Sequence, residues 1–129
     1  MRAHSRTSVS ILSLALLIVA SAAFASPPPE SDTHGHWVGA AGMSLYTYGP
    51  DGTLNVSHCS GPCAAIWPPY LADPGAKPAN GFGLVSRPGD RKQWSYQGRP
   101  LYRYAGHTKP GMATGDGVNG VWHVATTNH

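Results

Sequence analysis

The feature that most constrains this chain is an internal repeat of a short aromatic motif. Residues 42–48 read Gly-Met-Ser-Leu-Tyr-Thr-Tyr, and residues 98–104 read Gly-Arg-Pro-Leu-Tyr-Arg-Tyr. Each copy has one tryptophan upstream and one downstream, and the downstream tryptophans lie at nearly the same distance from their copies. Self-similarity of this kind indicates a repeat architecture. The sequence therefore predicts two structural repeats, at about residues 37–70 and 94–125.

Residues 1–25 have the pattern of an export signal. Two arginines begin the segment, residues 9–20 form an apolar run, and Ala23-Phe24-Ala25 supplies a small-x-small cleavage site. The run is shorter than the roughly 20 residues that span a bilayer as a helix, which disfavours a retained N-terminal anchor. We expect cleavage after Ala25 and an exported protein, periplasmic or extracellular. The mature chain should be soluble, with no transmembrane segment.

The charge of the mature chain bears on its partners. The formal net charge of +3 falls to about +1 when the signal is removed, because two of the nine basic residues leave with it. Nucleic acids and anionic membranes are usually bound by strongly basic proteins. We therefore expect no nucleic-acid partner. The expected partner is a protein, an envelope component or a small ligand, and the chain should be a monomer.

The composition predicts an aromatic core. Leu, Ile, Val and Phe supply only 13 of the 104 mature residues, whereas four Trp and six Tyr all remain after cleavage. A low aliphatic content favours disorder when the net charge is high, but the net charge here is small. Each large aromatic side chain can bury roughly 150–250 Å². Ten of them can therefore build the core of one small domain.

Short alternating segments separated by turn residues indicate an all-β fold. Residues 43–48, 82–86 and 93–96 read as strands, and glycine- and proline-rich turns separate them. The fold class expected is a small antiparallel domain over residues 37–125, made of two repeats, with an aromatic core and one short helical turn before Pro68-Pro69. Residues 26–36 contain three prolines and no hydrophobic periodicity, so they are predicted to form a flexible tether.

Three separated stretches resemble one protein family. Residues 46–51 read Tyr-Thr-Tyr-Gly-Pro-Asp, residues 59–69 read Cys-Ser-Gly-Pro-Cys-Ala-Ala-Ile-Trp-Pro-Pro, and residues 117–124 read Gly-Val-Asn-Gly-Val-Trp-His-Val. They resemble the bacterial secreted repeat of unknown function, whose members are mostly predicted lipoproteins with a Tyr-x-aromatic-x-x-Asp motif. The resemblance implies a two-repeat extracytoplasmic domain and brings no established activity.

The chain departs from that family in two ways. It has no cysteine at the signal boundary for lipid attachment, and its second motif ends in histidine rather than aspartate. No role that needs paired carboxylates is therefore carried over. The tyrosines are interpreted as core residues, with stacking on a sugar or aromatic ligand as the alternative. The motif positions in this chain are Tyr46, Tyr48, Asp51, Tyr102, Tyr104 and His107.

Cys59 and Cys63 are the two cysteines of the chain, and they allow two interpretations. In an oxidising compartment, two cysteines four residues apart in a bend can form a structural disulfide. Alternatively they form a thiol redox pair or a copper site together with His58 and Met43, since thiolate and thioether ligands select Cu(I). A c-type haem is disfavoured because no histidine follows Cys63 directly.

Other polar residues allow weaker hypotheses. His34, His36 and His129 are suited to weak binding of Cu(II) or Zn(II), although scattered histidines are more often solvated. Asp51 and Asp116 precede glycines and are interpreted as turn formers. The loop around Asp116 lacks the spaced carboxylates of a calcium loop.

Two functions remain open at this point. The chain contains no nucleophile elbow, phosphate-binding loop or paired catalytic carboxylates, so no enzyme is expected. The first hypothesis is a non-enzymatic exported domain that binds a protein, an envelope component or a small ligand. The alternative is a copper-binding or thiol redox accessory protein that uses the two cysteines.

Overall fold

The computed structural model describes residues 26–107 and 109–128. The predicted export signal at residues 1–25 lies outside the described residues, as does His129. Over the described ranges, no helix is both long and apolar enough to cross a membrane.

The described part of the chain folds mainly into short antiparallel strands. Strands β4, β6 and β5 form one sheet in that order, with β7 also paired to β6, while β3 pairs with β8 and β1 with β2. This arrangement confirms the predicted all-β fold. The strands are β1 (Glu30–Ser31), β2 (Trp37–Val38), β3 (Tyr46–Tyr48), β4 (Leu71–Ala72), β5 (Phe82–Arg87), β6 (Arg91–Tyr96), β7 (Arg99–Pro100) and β8 (Trp122–Val124).

The helical turn expected before Pro68-Pro69 is α1, at Pro62–Ile66. It begins with a proline, which tolerates the first turn because its missing N–H has no intrahelical partner there. The backbone N–H of Trp67 closes the helix on the carbonyl of Cys63 at 2.8 Å. Three single 3-10 turns complete the regular structure, at Ala40–Gly42, Gly49–Asp51 and Val118–Gly120.

The longest strands, β5 and β6, form a hairpin across the predicted Pro-Gly-Asp turn. Gly89 and Asp90 take φ values of 78° and 57°, in the left-handed region that glycine and aspartate tolerate. Arg87 is thereby placed directly opposite Arg91.

The two repeats are related by an approximate two-fold axis between Tyr46 and Tyr102. These equivalent tyrosines exchange both of their backbone hydrogen bonds, each 2.9 Å long. In each copy the preceding leucine donates its backbone N–H to the upstream tryptophan, Leu45 to Trp37 at 3.1 Å and Leu101 to Trp94 at 2.9 Å. The duplication seen in the sequence is therefore a structural one.

The end of each repeat pairs with the beginning of the other. Ala125, at the end of the second repeat, donates to Leu45 at 2.8 Å, and Tyr70, at the end of the first, donates to Leu101 at 2.9 Å. Strand β3 of the first repeat likewise pairs with β8 of the second. Neither repeat can therefore satisfy its backbone hydrogen bonds alone, and buried unpaired backbone groups are costly.

The buried side chains form two clusters that both repeats share. The first contains Leu45, Tyr70, Ala72, Trp94, Leu101 and Ala125. The second contains Tyr46, Cys59, Trp67, Tyr102, Trp122 and Val124, with Tyr48 and Tyr104 packed against it. Aromatic side chains form most of the second cluster, and in the first cluster Tyr70 and Trp94 are joined by the partly buried rings of Trp37, Phe82 and Tyr96.

Residues 26–36 differ from the predicted flexible tether, because they pack against the domain. Glu30–Ser31 pairs with Trp37–Val38. The backbone N–H of Ser26 donates to the carbonyl of Leu71 at 3.0 Å, and the hydroxyl of Tyr70 donates to the carbonyl of Pro27 at 2.7 Å. The proline-rich sequence did not predict this packing, because the carbonyl groups of the segment accept hydrogen bonds from Tyr70 and Trp94 of the domain.

Candidate functional site

Trp67 and Trp122, the downstream tryptophans of the two repeats, stack face to face in the second cluster. Their ring centroids are 3.9 Å apart and their planes differ by 5°. Tyr48 stacks on Trp122 at 4.3 Å and Tyr104 on Trp67 at 4.4 Å. The four rings form a continuous stack with the two-fold axis at its centre. Both tryptophans are buried, whereas the two terminal tyrosines are half-buried.

The first tyrosine of each motif hydrogen-bonds to the sixth motif residue of the other repeat. Tyr102 donates its phenolic O–H to Asp51 Oδ2 at 2.5 Å. The Tyr46 hydroxyl oxygen lies 2.5 Å from His107 Nε2. A neutral imidazole with its proton on Nδ1 accepts through Nε2, so histidine serves here as the acceptor that aspartate is in the first copy. The departure from the motif thus preserves the contact between the repeats.

Tyr46 has further partners in the loop that precedes β8. The backbone N–H of Gly115 donates to the Tyr46 hydroxyl at 3.2 Å, and the carbonyl of Met112 lies 3.4 Å from the same oxygen. A Cβ atom at Gly115 would lie 2.8 Å from the Trp67 ring. Only glycine lets the loop approach this closely.

Tyr102 belongs to a longer hydrogen-bond chain. Its hydroxyl lies 2.6 Å from Ser57 Oγ, and the guanidinium of Arg87 donates to Ser57 Oγ and to the carbonyl of Cys59. At the other end, Asp51 Oδ1 accepts the backbone N–H of His58 at 2.6 Å and lies 3.3 Å from its Nδ1. The Asp51 side chain is only 1% exposed. These hydrogen bonds connect Arg87 of the β5–β6 hairpin to Asp51 of the first motif.

Burial shifts the ionisation of the groups at this junction. It raises the pKa of Tyr102, and the hydrogen bond to the Asp51 carboxylate raises it further. Burial also raises the pKa of Tyr46 and lowers the pKa of His107. Near neutral pH both phenols are therefore protonated and His107 is a neutral imidazole.

The structure contains a disulfide bond between Cys59 and Cys63, whose Cα atoms are 5.3 Å apart. It joins α1 to the segment that precedes the helix, and Cys59 is fully buried in the second cluster. While the disulfide is intact, neither sulfur is available as a thiolate ligand. No three His, Cys, Asp or Glu side chains among the described residues are placed to hold a metal ion together. The copper site with His58 and Met43 stays a prediction.

Asp32 and Asp116 accept backbone N–H groups of nearby segments. The Asp32 carboxylate accepts the backbone N–H groups of His34 and His36, at 2.8 and 2.9 Å. The hydrogen bond from His36 is the main cause that lowers the pKa of Asp32. Asp116 accepts the backbone N–H of Val124 at 3.0 Å. Weak Cu(II) or Zn(II) binding by these histidines stays a prediction.

The sequence interpretation missed a segregation of charge along the chain. All seven Lys and Arg residues beyond the signal lie within residues 77–109, whereas residues 26–76 contain none and hold four of the six acids. The ion pairs within the described residues all involve histidine. Counting charge in each half separately, rather than over the whole chain, would have revealed this surface.

Three of the seven basic residues lie at the β5–β6 hairpin. Arg87 and Arg91 are directly opposite, and Lys92, the next residue, is opposite Ser86. Arg91 is exposed and donates to the carbonyl of Pro88, while the Lys92 ammonium donates to Ser86 Oγ at 2.9 Å. Like charges directly opposite on paired strands are destabilising, and here the two guanidinium groups are directed to different partners, Arg87 to Ser57 and Cys59 and Arg91 to Pro88.

Comparison with known families finds one match. A family model described as "secreted repeat of unknown function" matches the chain twice, over residues 32–70 and 83–126. The two matches correspond to the two structural repeats. No curated protein and no solved structure matches the chain significantly.

Proposed function

This chain belongs to the family of secreted repeats of unknown function, and we propose that it is a non-enzymatic domain that binds an anionic envelope polymer carrying phosphate groups. The observation that carries the proposal is the segregation of all seven mature Lys and Arg residues into residues 77–109. The overall charge of about +1 conceals this basic surface, because most of the acids lie in the other half of the chain.

The hairpin residues Arg91 and Lys92 are central to the proposal, and as consecutive residues of β6 they place cationic groups on the two opposite faces of the hairpin. Their cationic groups hydrogen-bond to uncharged oxygens, so neither charge is neutralised by a carboxylate within the described residues. Arg87 points instead to Ser57 and Cys59 and anchors the hairpin to the first repeat. A repeating polyanion suits such a surface because the binding free energies of several weak ionic contacts add up when one polymer molecule makes all of them.

The non-enzymatic assignment is supported by the way the polar residues at the repeat junction are used. The buried Asp51 and Tyr102 hydrogen-bond to each other, and the half-buried Ser57 hydrogen-bonds to Tyr102. These bonds engage the polar groups of the junction within the domain.

Export is part of the proposal. The disulfide is typical of proteins that fold in an oxidising compartment, periplasmic or extracellular. Cleavage after Ala25 would leave Ser26 as the first residue, and its nitrogen and carbonyl both hydrogen-bond to the domain, to Leu71 and to Trp94. N-terminal sequencing of the exported protein should return Ser26. A sequence that begins at Met1 would contradict cleavage.

The test of function is binding of long-chain polyphosphate to the purified exported protein. Titration at low salt should give saturable binding that weakens steeply as salt is added. Neutralising the hairpin with Arg91→Gln and Lys92→Gln should weaken binding on the order of tenfold, since two ionic contacts are lost.

The control changes the net charge equally but elsewhere. Ser31 and Thr33 are exposed in or beside β1, which pairs with β2 and not with the hairpin, and Ser31→Glu with Thr33→Glu should affect binding much less. Equal weakening by both double variants would show that only overall charge matters and would contradict a hairpin site. Binding to anionic lipid vesicles without binding to polyphosphate would reject the polymer in favour of a membrane.

A further inference from the structure

The proposed binding surface does not use the buried aromatic array, which consists of Tyr46, Tyr102, Trp67 and Trp122. We infer that this array is a redox relay, in which one-electron oxidation of the stacked tryptophans ends as a neutral tyrosyl radical on Tyr46 or Tyr102. A purely structural core needs tight packing of these rings. It also needs a hydrogen-bond acceptor for each buried phenol, which a backbone carbonyl can supply. At Tyr46 and Tyr102 the acceptor is instead a side chain that can hold a proton.

The rings of the array are in contact throughout. Tyr46 meets Trp67 edge to face at 5.3 Å, and Tyr102 meets Trp122 in the same way at 5.2 Å. The tryptophans are themselves stacked at 3.9 Å. Electron tunnelling weakens steeply with distance, so an electron moves readily between rings that touch. An electron removed from either tryptophan can therefore be replaced by an electron from either tyrosine.

Each tyrosine of the array also has a base for its proton. A phenol that loses an electron becomes strongly acidic and must release its proton. His107 Nε2 and Asp51 Oδ2 each lie 2.5 Å from the phenolic oxygen of Tyr46 and Tyr102 respectively, within the reach of a proton acceptor. Because burial raises the pKa of both phenols, the proton is still present when the electron leaves.

Two other tyrosines have no base and serve as an internal contrast. The hydroxyl of Tyr70 donates to the backbone carbonyl of Pro27 at 2.7 Å, and that of Tyr96 donates to the carbonyl of Thr127 at 3.3 Å. A backbone carbonyl accepts a hydrogen bond but does not hold a proton near neutral pH. Oxidation should therefore localise on the array rather than on these residues.

The step balances with one external oxidant. A diffusible radical takes one electron from the ring stack, which it reaches through the half-buried Tyr48 or Tyr104, and is itself reduced. Tyr46 then gives an electron to the oxidised tryptophan while its O–H bond breaks and a new N–H bond forms on His107 Nε2. Alternatively, Tyr102 gives the electron while its O–H bond breaks and a new O–H bond forms on Asp51 Oδ2, so that one tyrosine is oxidised for each electron removed. A one-electron reductant, such as a diffusible phenol, reverses the step.

Pulse radiolysis of the exported protein with azide radicals tests the relay, because these radicals oxidise tryptophan preferentially. The tryptophan radical absorption should decay as the tyrosyl absorption grows, and this transfer should be slower in deuterated water. The comparison is made in a background with Tyr48→Phe and Tyr104→Phe, because these two tyrosines stack directly on the tryptophans and could supply the electron themselves. In that background the double variant Tyr46→Phe with Tyr102→Phe should lower the transfer rate at least about tenfold, since its rings have no proton to release. Tyr70→Phe is the matched control and should leave the rate unchanged.

A second comparison isolates the base. When Tyr102→Phe is added to the same background, only the Tyr46 side remains active. His107→Leu should then abolish transfer, while His107→Asp, which supplies a carboxylate as Asp51 does, should restore it. Equal rates for the leucine and aspartate variants would overturn the inference. So would undiminished transfer in the double phenylalanine variant, or the absence of an isotope effect in the unaltered protein.

Discussion

Removing the phenolic oxygen of Tyr102 should destabilise the domain more than removing that of Tyr46. Both tyrosines are fully buried at equivalent positions, so Tyr→Phe leaves the same cavity and the same ring contacts in each case. They differ in the acceptor. Tyr102 donates to a buried carboxylate, and such hydrogen bonds contribute roughly 1.5–3 kcal/mol, against roughly 0.5–1.5 kcal/mol for a neutral pair such as Tyr46 and His107.

The structure indicates that the stability lost in Tyr102→Phe lies at the high end of the range for a hydrogen bond to a carboxylate. Asp51 retains only the bonds to His58, and Ser57 loses a partner at the same time. We expect Tyr102→Phe to lower the free energy of unfolding by about 3 kcal/mol and Tyr46→Phe by about 2 kcal/mol, since the buried N–H of Gly115 also loses its acceptor in the second case. Domains of this size have total stabilities of roughly 5–15 kcal/mol, so both variants should remain folded.

Urea unfolding followed by tryptophan fluorescence measures the difference. The slope of the unfolding free energy with urea should stay the same, because neither variant changes the buried surface, and the midpoints can then be compared directly. Tyr70→Phe, which loses a bond to a backbone carbonyl, should resemble Tyr46→Phe. If Tyr46→Phe cost as much as Tyr102→Phe, the charge of the acceptor would not determine the stability of the repeat junction, and the reasoning would be refuted.

Three further outcomes follow from the same contacts. Trp67→Ala and Trp122→Ala should each cost roughly 3–5 kcal/mol, because each empties one half of a symmetric stack; a nearly silent substitution in a urea titration would contradict the equivalence of the repeats. Each repeat expressed alone should lack near-UV aromatic dichroism, since its backbone partners are in the other repeat, and a cooperative thermal transition in either fragment would show otherwise. Cys59→Ser with Cys63→Ser should cost about 2 kcal/mol, by calorimetry, through the entropy of the closed loop. Stoichiometric Cu(I) binding that the double variant loses and that His58→Ala weakens would favour the copper alternative.

The sequence predicted the parts of the fold that depend on neighbouring residues. The turn at Gly89 and Asp90 requires residues that tolerate positive φ, and both stand in the sequence between two alternating segments. The cysteines are close enough along the chain for a disulfide to be expected from spacing and compartment alone. Aromatic burial was likewise predictable, because the chain has few other apolar side chains with which to build a core.

What the sequence did not reveal depends on contacts between distant segments. The prolines of residues 26–36 indicate an extended chain, but the tyrosine and tryptophan that receive this segment lie more than forty residues away. The charge segregation was visible in the sequence, yet the placement of Arg87 directly opposite Arg91 depends on the register of the hairpin.

The second motif shows why a departure from a pattern need not be a loss. In the sequence alone, the histidine that replaces aspartate in the second motif removes a carboxylate and with it any chemistry that needs two acids. In the fold, the sixth position of each motif faces the first tyrosine of the opposite repeat, so the requirement is for a hydrogen-bond acceptor and not for a charge. A neutral His107 meets that requirement, and burial keeps it neutral by lowering its pKa. The substitution therefore changes the electrostatics of one half of the junction while leaving its geometry intact, which makes the two halves similar in structure and different in chemistry.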